Sequence, residues 1–257
     1  MASLHAFDPA AVVAVLPSDH VIDRPQRFRT VLIAATAAAE AGHIVIVGIE
    51  PNAPETGFGW IKAGAKLELD APADVFAVER FIEKPKREVA EKMAGAGGHY
   101  WNAGMFVWRG RTVLDAYREH LPRTAKAIDA LQEAHGTERY EAVLSEVWEE
   151  TDRTTIDYGI AEKAKNVAVV PADIGWHDVG TWTRLAEIVG RGNADTVEVG
   201  SEGVYTWAPG KVVSLVGVHD LIVVDTPDAL LIAAKDRSED VKEVVDRLRQ
   251  EGREDLL

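Results

Sequence analysis

The sequence predicts an α/β protein with a small β-rich module near its C-terminal end. Residues 11–16 (AVVAVL) and 43–49 (HIVIVGI) are unbroken, Val/Ile-rich apolar runs. Such runs suit strands buried on both faces of a parallel sheet. Between them Phe28, Val31, Leu32, Ala35, Ala38 and Ala39 recur at helical spacing until Gly42. Strand, helix and strand make a βαβ unit with an expected right-handed crossover. After Gly192 the texture changes to short apolar runs separated by Pro, Gly or Asp, which indicates an all-β module.

The elements follow in order. Asp23 and Pro25 offer the cap and first turn of the first helix. Residues 51–64 are a Gly- and Pro-rich loop leading into a strand, and 75–82 form a strand ending at Glu83-Lys84-Pro85. Residues 86–94 read as an amphipathic helix broken by the glycines of 95–98, and 106–108 as a short strand. Helical patterns at 112–120, 123–135 and 138–149 are divided by Pro122 and Gly136. A helix at 156–164, a strand at 167–171 and a helix at 181–189 complete the larger part. Strands at 204–207, 212–216, 221–225 and 230–233 form either a meander or short coils of a β-helix. Ser238 is the expected cap of the last helix, with Glu239 and Asp240 at its positive end. Val241, Val244, Val245 and Leu248 are its expected buried stripe. The domain boundary falls near Arg191-Gly192-Asn193, dividing 1–191 from 192–257.

Composition narrows the functions. The chain has 257 residues, 28 Lys+Arg against 42 Asp+Glu, a formal charge of −14, 47% hydrophobic residues and no Cys. That acidity repels polyphosphate backbones and argues against a nucleic-acid partner. A phosphate-bearing ligand then needs a local basic site, helped by a divalent cation. The absence of Cys excludes disulfides, thiolate metal sites and Cys nucleophiles. Apolar stretches reach only about ten residues against the ~20 a membrane span requires. The opening MASLHAFDPAA lacks a signal-peptide layout, so a soluble cytoplasmic protein without a membrane partner is expected.

Three motifs could hold chemistry. Leu16-Pro17-Ser18-Asp19-His20 follows the first strand, where open α/β sheets bind ligands. Asp19 either ligates a metal there or caps a turn. Glu83-Lys84 sets an acid beside a base at a strand end: Glu can accept from sugar hydroxyls and Lys can meet a phosphate, or the two form a solvated pair. Trp176-His177-Asp178-Val179-Gly180-Thr181-Trp182 puts Asp178 ahead of a helix, as a cleft carboxylate or a plain cap. Asp19 and Asp178 together suit Mg²⁺, which binds few carboxylates alongside phosphates and waters. Lesser candidates are Glu55 to Trp60, whose glycines permit close ligand approach, Asn102 in YWNAGMF, and Thr155-Ile156-Asp157-Tyr158-Gly159 as a helix start. There is no Gly-x-Ser-x-Gly elbow, no His-Glu-x-x-His and no Walker-type phosphate loop.

Taken in order, LPSDH, ETGFGWI, FIEKP, WNAGMF, TIDYGIAEKA and WHDVGTW resemble bacterial mannose-1-phosphate guanylyltransferases, members of the sugar-1-phosphate nucleotidylyltransferases. The tail from VVSLVGVHDL to KEVV resembles the C-terminal region of that family. The resemblance covers nearly the whole chain. It implies a Rossmann-like, three-layer domain of the nucleotide-diphospho-sugar transferase type, followed by a β-helix-like module. It also implies Asp19 and Asp178 as Mg²⁺ ligands, Glu83 on sugar hydroxyls and Lys84 on the sugar phosphate. Gly59, Asn102 and Gly104 would line the sugar pocket. The implied reaction joins mannose 1-phosphate and GTP into GDP-mannose and pyrophosphate, with Lys84, Asp19 and Asp178 catalytic.

One part of the family pattern is missing from these residues: a strand and Gly-rich loop of the form GGxGxRLxPxS that holds the nucleotide. At roughly 30 residues per βαβ unit, two such units amount to about 60 residues. The expectation is an N-terminally incomplete domain that is inactive by itself. A misassigned start or truncation, a separate chain supplying the first half, and a silent sugar-phosphate-binding or regulatory subunit are the three explanations. Exposed strand edges would then make folding dependent on a partner, or on a second copy of the chain.

Overall fold

Alternation along two neighbouring strands organises the larger part of the molecule. In β3 (Ile44–Ile49), Val45 and Val47 join one apolar cluster and Ile44 and Ile46 another. Its parallel neighbour β7 (Val167–Ala172) divides likewise, Ala168 and Val170 against Val167 and Val169. Strands that are apolar on both faces need cover on both. α1 (Pro25–Glu40) supplies it on one side through Val31, Ala34, Ala35, Ala38 and Ala39. α3 (Gly110–His120) supplies Val113 and Ala116 on the other, with Leu121 and Ile160. The outcome is a three-layer α/β fold around a mixed sheet.

The computed structural model describes residue 8 and residues 10–190 and 192–256; Arg191 of the expected boundary lies outside them. Two units are distinguished, the described residues of Met1–Ser18 with Ile22–Trp176, and Asp19–Val21 with His177–Leu257. In the first, the six strands run in the order β1-β6-β3-β7-β5-β4. These are β1 (Val12–Val15), β4 (Trp60–Lys66), β5 (Phe76–Ile82), β6 (His99–Arg109) and the two already placed. Only β3 and β7 pair in parallel, and β6 also pairs with β4. The remaining helices of this unit are α2 (Arg87–Ala96), α4 (Pro122–Ala134) and α5 (Tyr140–Trp148).

Several expectations are corrected here. The first apolar run is not buried on both faces: β1 is an edge strand, antiparallel to β6, with Val15 44% exposed. β6 therefore separates β1 from β3, and the two strands of the βαβ unit are parallel but not adjacent. The cap position of α1 is Arg24 rather than Asp23, with no side-chain cap bond and Pro25 starting the helix. β6 spans eleven residues, not the three expected, because Tyr100, Trp101 and Asn102 continue the strand. The helix expected at 156–164 is a π turn of five residues, Asp157–Ala161.

In the second unit, three parallel pairings share one interval. Asp195↔Val212, Glu202↔His219 and Tyr205↔Ile222 are each 17 positions apart. A constant offset between parallel strands is the signature of coils wound on one another, so the β-helix alternative holds rather than the meander. The strands are β9 (Asp195–Val199), which has no counterpart among the expected elements, β10 (Tyr205–Trp207), β11 (Val212–Val216), β12 (Leu221–Asp225) and β13 (Leu230–Ala234). β13 alone runs antiparallel, on β12. α6 (Trp182–Val189) is capped by the Thr181 hydroxyl, which accepts from Arg184 N at 3.3 Å. Ser238 does not cap α7 (Val241–Gln250): it sits in a preceding 3₁₀ turn, where its Oγ accepts from Thr183 Oγ1 at 2.8 Å. Of the expected α7 stripe, Val244 is exposed and the other three are half-buried. No helix among the described residues is long and apolar enough to cross a membrane.

Candidate functional site

In the first unit the expected sugar residues converge on one backbone position. β5 ends at Ile82, and Glu83 and Lys84 follow it. β4 pairs with β5 and with the start of β6, which brings the Gly59 end of one strand beside Glu83 and Asn102. Asn102 N donates to the Gly59 carbonyl at 2.8 Å. A methyl group on Gly59 would collide with Glu83 Oε2 and lie 3.0 Å from Phe81 Cζ and 3.1 Å from Asn102 Cβ. Glycine at 59 is therefore the condition for these side chains to sit where they do.

The loop leading to Gly59 is pinned at both ends. Trp60 Nε1 donates to the Glu55 carbonyl at 2.7 Å, and Phe58 packs edge-on against Trp101 and Trp176, ring centres 5.3 Å away in each case. Asn102 is 9% exposed and uses both ends of its amide. Its Nδ2 donates to Asp157 Oδ1 and its Oδ1 accepts from Gly104 N, each at 2.9 Å. One N–H and one oxygen lone pair remain for a ligand. Gly104 has φ +68°, a conformation other residues adopt at a cost.

Glu83 is the most perturbed group here. Its side chain is 10% exposed, and its Oε2 is buried without a hydrogen-bond partner. Burial raises its pKa above the ordinary carboxylate value, the Asp157 carboxylate raises it further, and Lys84 partly offsets both. Lys84 stands 3.7 Å from Glu83 Oε1, with its side chain 60% exposed and its backbone at φ +47°. A non-glycine residue held there stores strain of the kind that gathers at ligand sites. Glu83 N donates to Glu162 Oε1 at 2.9 Å. Sequence reasoning singles out neither Asp157 nor Glu162 for the site. Both lie in the TIDYGIAEKA motif, but neither is given a role there, and the residues around Asp157 read by themselves only as a helix start.

The raised pKa fixes a sign. Folded Glu83 keeps its proton to higher pH than the unfolded chain does, so its favourable contribution exists at acid pH and is lost as pH rises through the folded-state value. Above that value the buried carboxylate opposes folding. Glu83→Gln is expected to melt higher than the native chain at pH 7, with the gain shrinking towards pH 4. Melting curves across that range check it; a constant difference at every pH would refute the burial argument.

Asp19 and Asp178 belong to the second unit. β2 (His20–Ile22) and β8 (Trp176–Asp178), neither expected from the sequence, form a two-stranded ribbon. Asp23 N bonds Gly175 O and Arg24 N bonds Ile174 O, both at 3.0 Å, where the two segments run side by side. His20 Nε2 lies 3.7 Å from Asp178 Oδ1. Asp19 immediately precedes His20 in the chain. No group of three or more His, Cys, Asp or Glu fit to hold a metal occurs among the described residues. Asp178, which meets His20, and Asp19, its chain neighbour, are hard oxygen donors of the kind Mg²⁺ takes in small number beside waters and phosphates.

Glu83, Lys84, Asn102 and Gly59 thus gather at the strand ends of a three-layer sheet. Residues 2–193 match the nucleotidyl transferase family, and the chain belongs to that family. Residues 194–248 match the MannoseP isomerase/GMP-like beta-helix domain. Among curated relatives, the xanthan biosynthesis protein XanB of Xanthomonas campestris pv. campestris (strain B100) is 38% identical over 262 residues, covering 98% of this chain and 54% of the relative. The mannose-1-phosphate guanylyltransferase of Escherichia coli (strain K12) is 35% identical over 259 residues, with the same two coverages. The chain thus spans about half the length of the curated relatives it matches. The crystal structure of mannose-1-phosphate geranyltransferase from Thermus thermophilus superposes with a TM-score of 0.83 at 31% identity, covering 96% of this chain and 72% of that one.

Proposed function

We propose that this chain supplies the sugar-phosphate and metal-binding side of an enzyme that transfers a guanylyl group from GTP to mannose 1-phosphate, giving GDP-mannose and pyrophosphate. The observation that supports it most is the partnerless, buried Glu83 Oε2 beside Gly59 and Asn102. A buried acceptor without a donor is costly, and a sugar hydroxyl is the donor that would satisfy it. The name of the Escherichia coli relative at 35% identity, a mannose-1-phosphate guanylyltransferase, points to the same reaction.

The roles divide by residue. Glu83 accepts from hexose hydroxyls, and Gly59, Asn102 and Gly104 line the same pocket. Lys84 meets the sugar phosphate with a compact charge on a flexible stem. Asp19 and Asp178 would hold Mg²⁺, which would supply positive charge against the phosphates. An oxygen of the sugar phosphate attacks the α-phosphorus of GTP, a new P–O bond forms, the bond to the β-phosphate breaks, and pyrophosphate leaves. No covalent enzyme intermediate is needed, so the side chains act by positioning and charge. Dependence on GTP favours a cytoplasmic location.

Pyrophosphate release from GTP and mannose 1-phosphate tests the reaction. Lys84→Ala is expected to raise the apparent constant for mannose 1-phosphate roughly 10- to 100-fold, the worth of a charged hydrogen bond, and that for GTP far less. Equal changes for both substrates would remove Lys84 from the sugar phosphate. Binding of mannose 1-phosphate without turnover would instead favour a silent sugar-phosphate-binding subunit.

A further inference from the structure

Away from Lys84, a second set of cations gathers on the outer rows of the first unit's sheet. β4 lies between β5 and the start of β6, and the registers Lys62↔Arg80 and Lys62↔His99 put the three basic side chains in one cross-strand row. Residues directly opposite share a face, and like charges in that position are destabilising. Lys92, from α2, lines the same depression, whose floor includes Trp60 and Met93 and whose volume is about 130 Å³. Of these groups, Lys62 is answered by Glu79 at 2.6 Å, and His99 Nδ1 meets the Gly97 carbonyl at 2.8 Å. Arg80 and Lys92 make no ion pair among the described residues, although acids outnumber bases 42 to 28 in this chain. Two exposed cations therefore stand without an acidic partner beside two more bases in one depression.

We propose that this depression is a binding site for a small phosphate-bearing anion, distinct from the sugar-phosphate pocket. The volume is well below the roughly 300–1,000 Å³ of sites for drug-sized ligands, so it admits a phosphate or a short phosphomonoester but not a nucleotide. Arg80 supplies a planar fork matched to phosphate oxygens, and Lys62 and Lys92 supply point charges. The Trp60 and Met93 floor excludes water beneath the anion and strengthens those contacts. The site stands whether or not the guanylyl-transfer reading does, since none of its cations has a part in that reaction.

Thermal unfolding of the whole chain in potassium phosphate, against potassium chloride of matched ionic strength, tests it. A ligand that binds only the folded state raises the melting temperature, here by about 2–4 °C once phosphate exceeds a millimolar-range constant several-fold. The rise is expected in the native chain and in Lys84→Ala, which removes the other phosphate group. It is expected to vanish in the Arg80→Gln/Lys92→Gln double variant, whose exposed side chains can change without loss of fold. Glycerol 3-phosphate, run in parallel, separates the two sources: a larger shift than with phosphate gives the apolar floor a share and assigns the site to a phosphomonoester, and an equal shift assigns it to the free ion. No rise in the native chain, a rise that survives in the double variant, or one that disappears in Lys84→Ala would each overturn the proposal.

Discussion

Gly59→Ala is expected to weaken mannose 1-phosphate binding about 100-fold, the order seen when a binding group is displaced by an ångström. It should also cost about 1–3 kcal/mol of stability, as overpacking of a filled site does. The added methyl overlaps Glu83 Oε2 and presses on Phe81 and Asn102 at once. Phe81 is 6% exposed and Asn102 is tied at both amide ends, so neither can retreat. Only the Glu83 carboxylate can swing, and swinging removes the acceptor from the pocket. Gly57 in the same loop is the control: a Cβ there meets nothing within 4 Å, and Gly57→Ala should leave both properties alone. Isothermal titration and urea unfolding of the two variants measure the contrast. Native binding by Gly59→Ala would mean that the Glu83 carboxylate does not hold the sugar.

The parts of the fold that sequence makes legible are those dominated by one strong period. α1 shows its buried Ala and Val stripe at helical spacing, and β3 its uninterrupted apolar run; both form where expected. The first strand misleads because composition and burial diverge: 11–16 is as apolar as β3, yet an edge place in the sheet leaves Ala14 and Val15 exposed. Edge or centre is decided by which strands arrive later, here the antiparallel β6, and no local pattern encodes that. β6 reads as only three residues because Asn102 and Gly104 look like loop residues. Their polar atoms are satisfied by Asp157 and by each other, which allows them inside a strand. Three-residue strands such as β2 and β8 are too short for any period to show.

The candidate site is legible in its motifs and not in its wiring. FIEKP and WNAGMF each announce a polar group beside apolar ones, and pairing of β4 with both β5 and β6 brings them together around Gly59. What sequence does not show is the carboxylate environment. Asp157 and Glu162 reach Asn102 and Glu83 from a π turn far along the chain, and their charge, with burial, is what raises Glu83. A contact across 79 positions, as between Glu83 and Glu162, has no signature in either segment. The left-handed backbone of Lys84 is equally hidden, because Lys is not a residue that advertises a positive φ.

Asp178→Asn is expected to remove divalent-cation binding and to lower guanylyl transfer about 100- to 1,000-fold, the usual loss when a group that stabilises developing charge is deleted. Asparagine keeps the shape and one oxygen, so His20 can still be met across the ribbon, but the formal charge that attracts the cation is gone. With a third of the Asp178 side chain exposed, folding should change by no more than about 0.5 kcal/mol. Asp19→Asn should behave alike, because Asp19 adjoins His20, which lies 3.7 Å from Asp178 Oδ1. Mn²⁺, a paramagnetic stand-in for Mg²⁺, gives a readout apart from turnover: its free signal in electron paramagnetic resonance falls on binding to the native chain and should stay in both variants. Retained Mn²⁺ binding with lost turnover would show that these carboxylates face the substrate instead of the cation. Mg²⁺ takes one or two protein carboxylates and fills its remaining positions with phosphate oxygens and water. Added mannose 1-phosphate and GTP should therefore tighten Mn²⁺ binding to the native chain and leave both single variants unchanged.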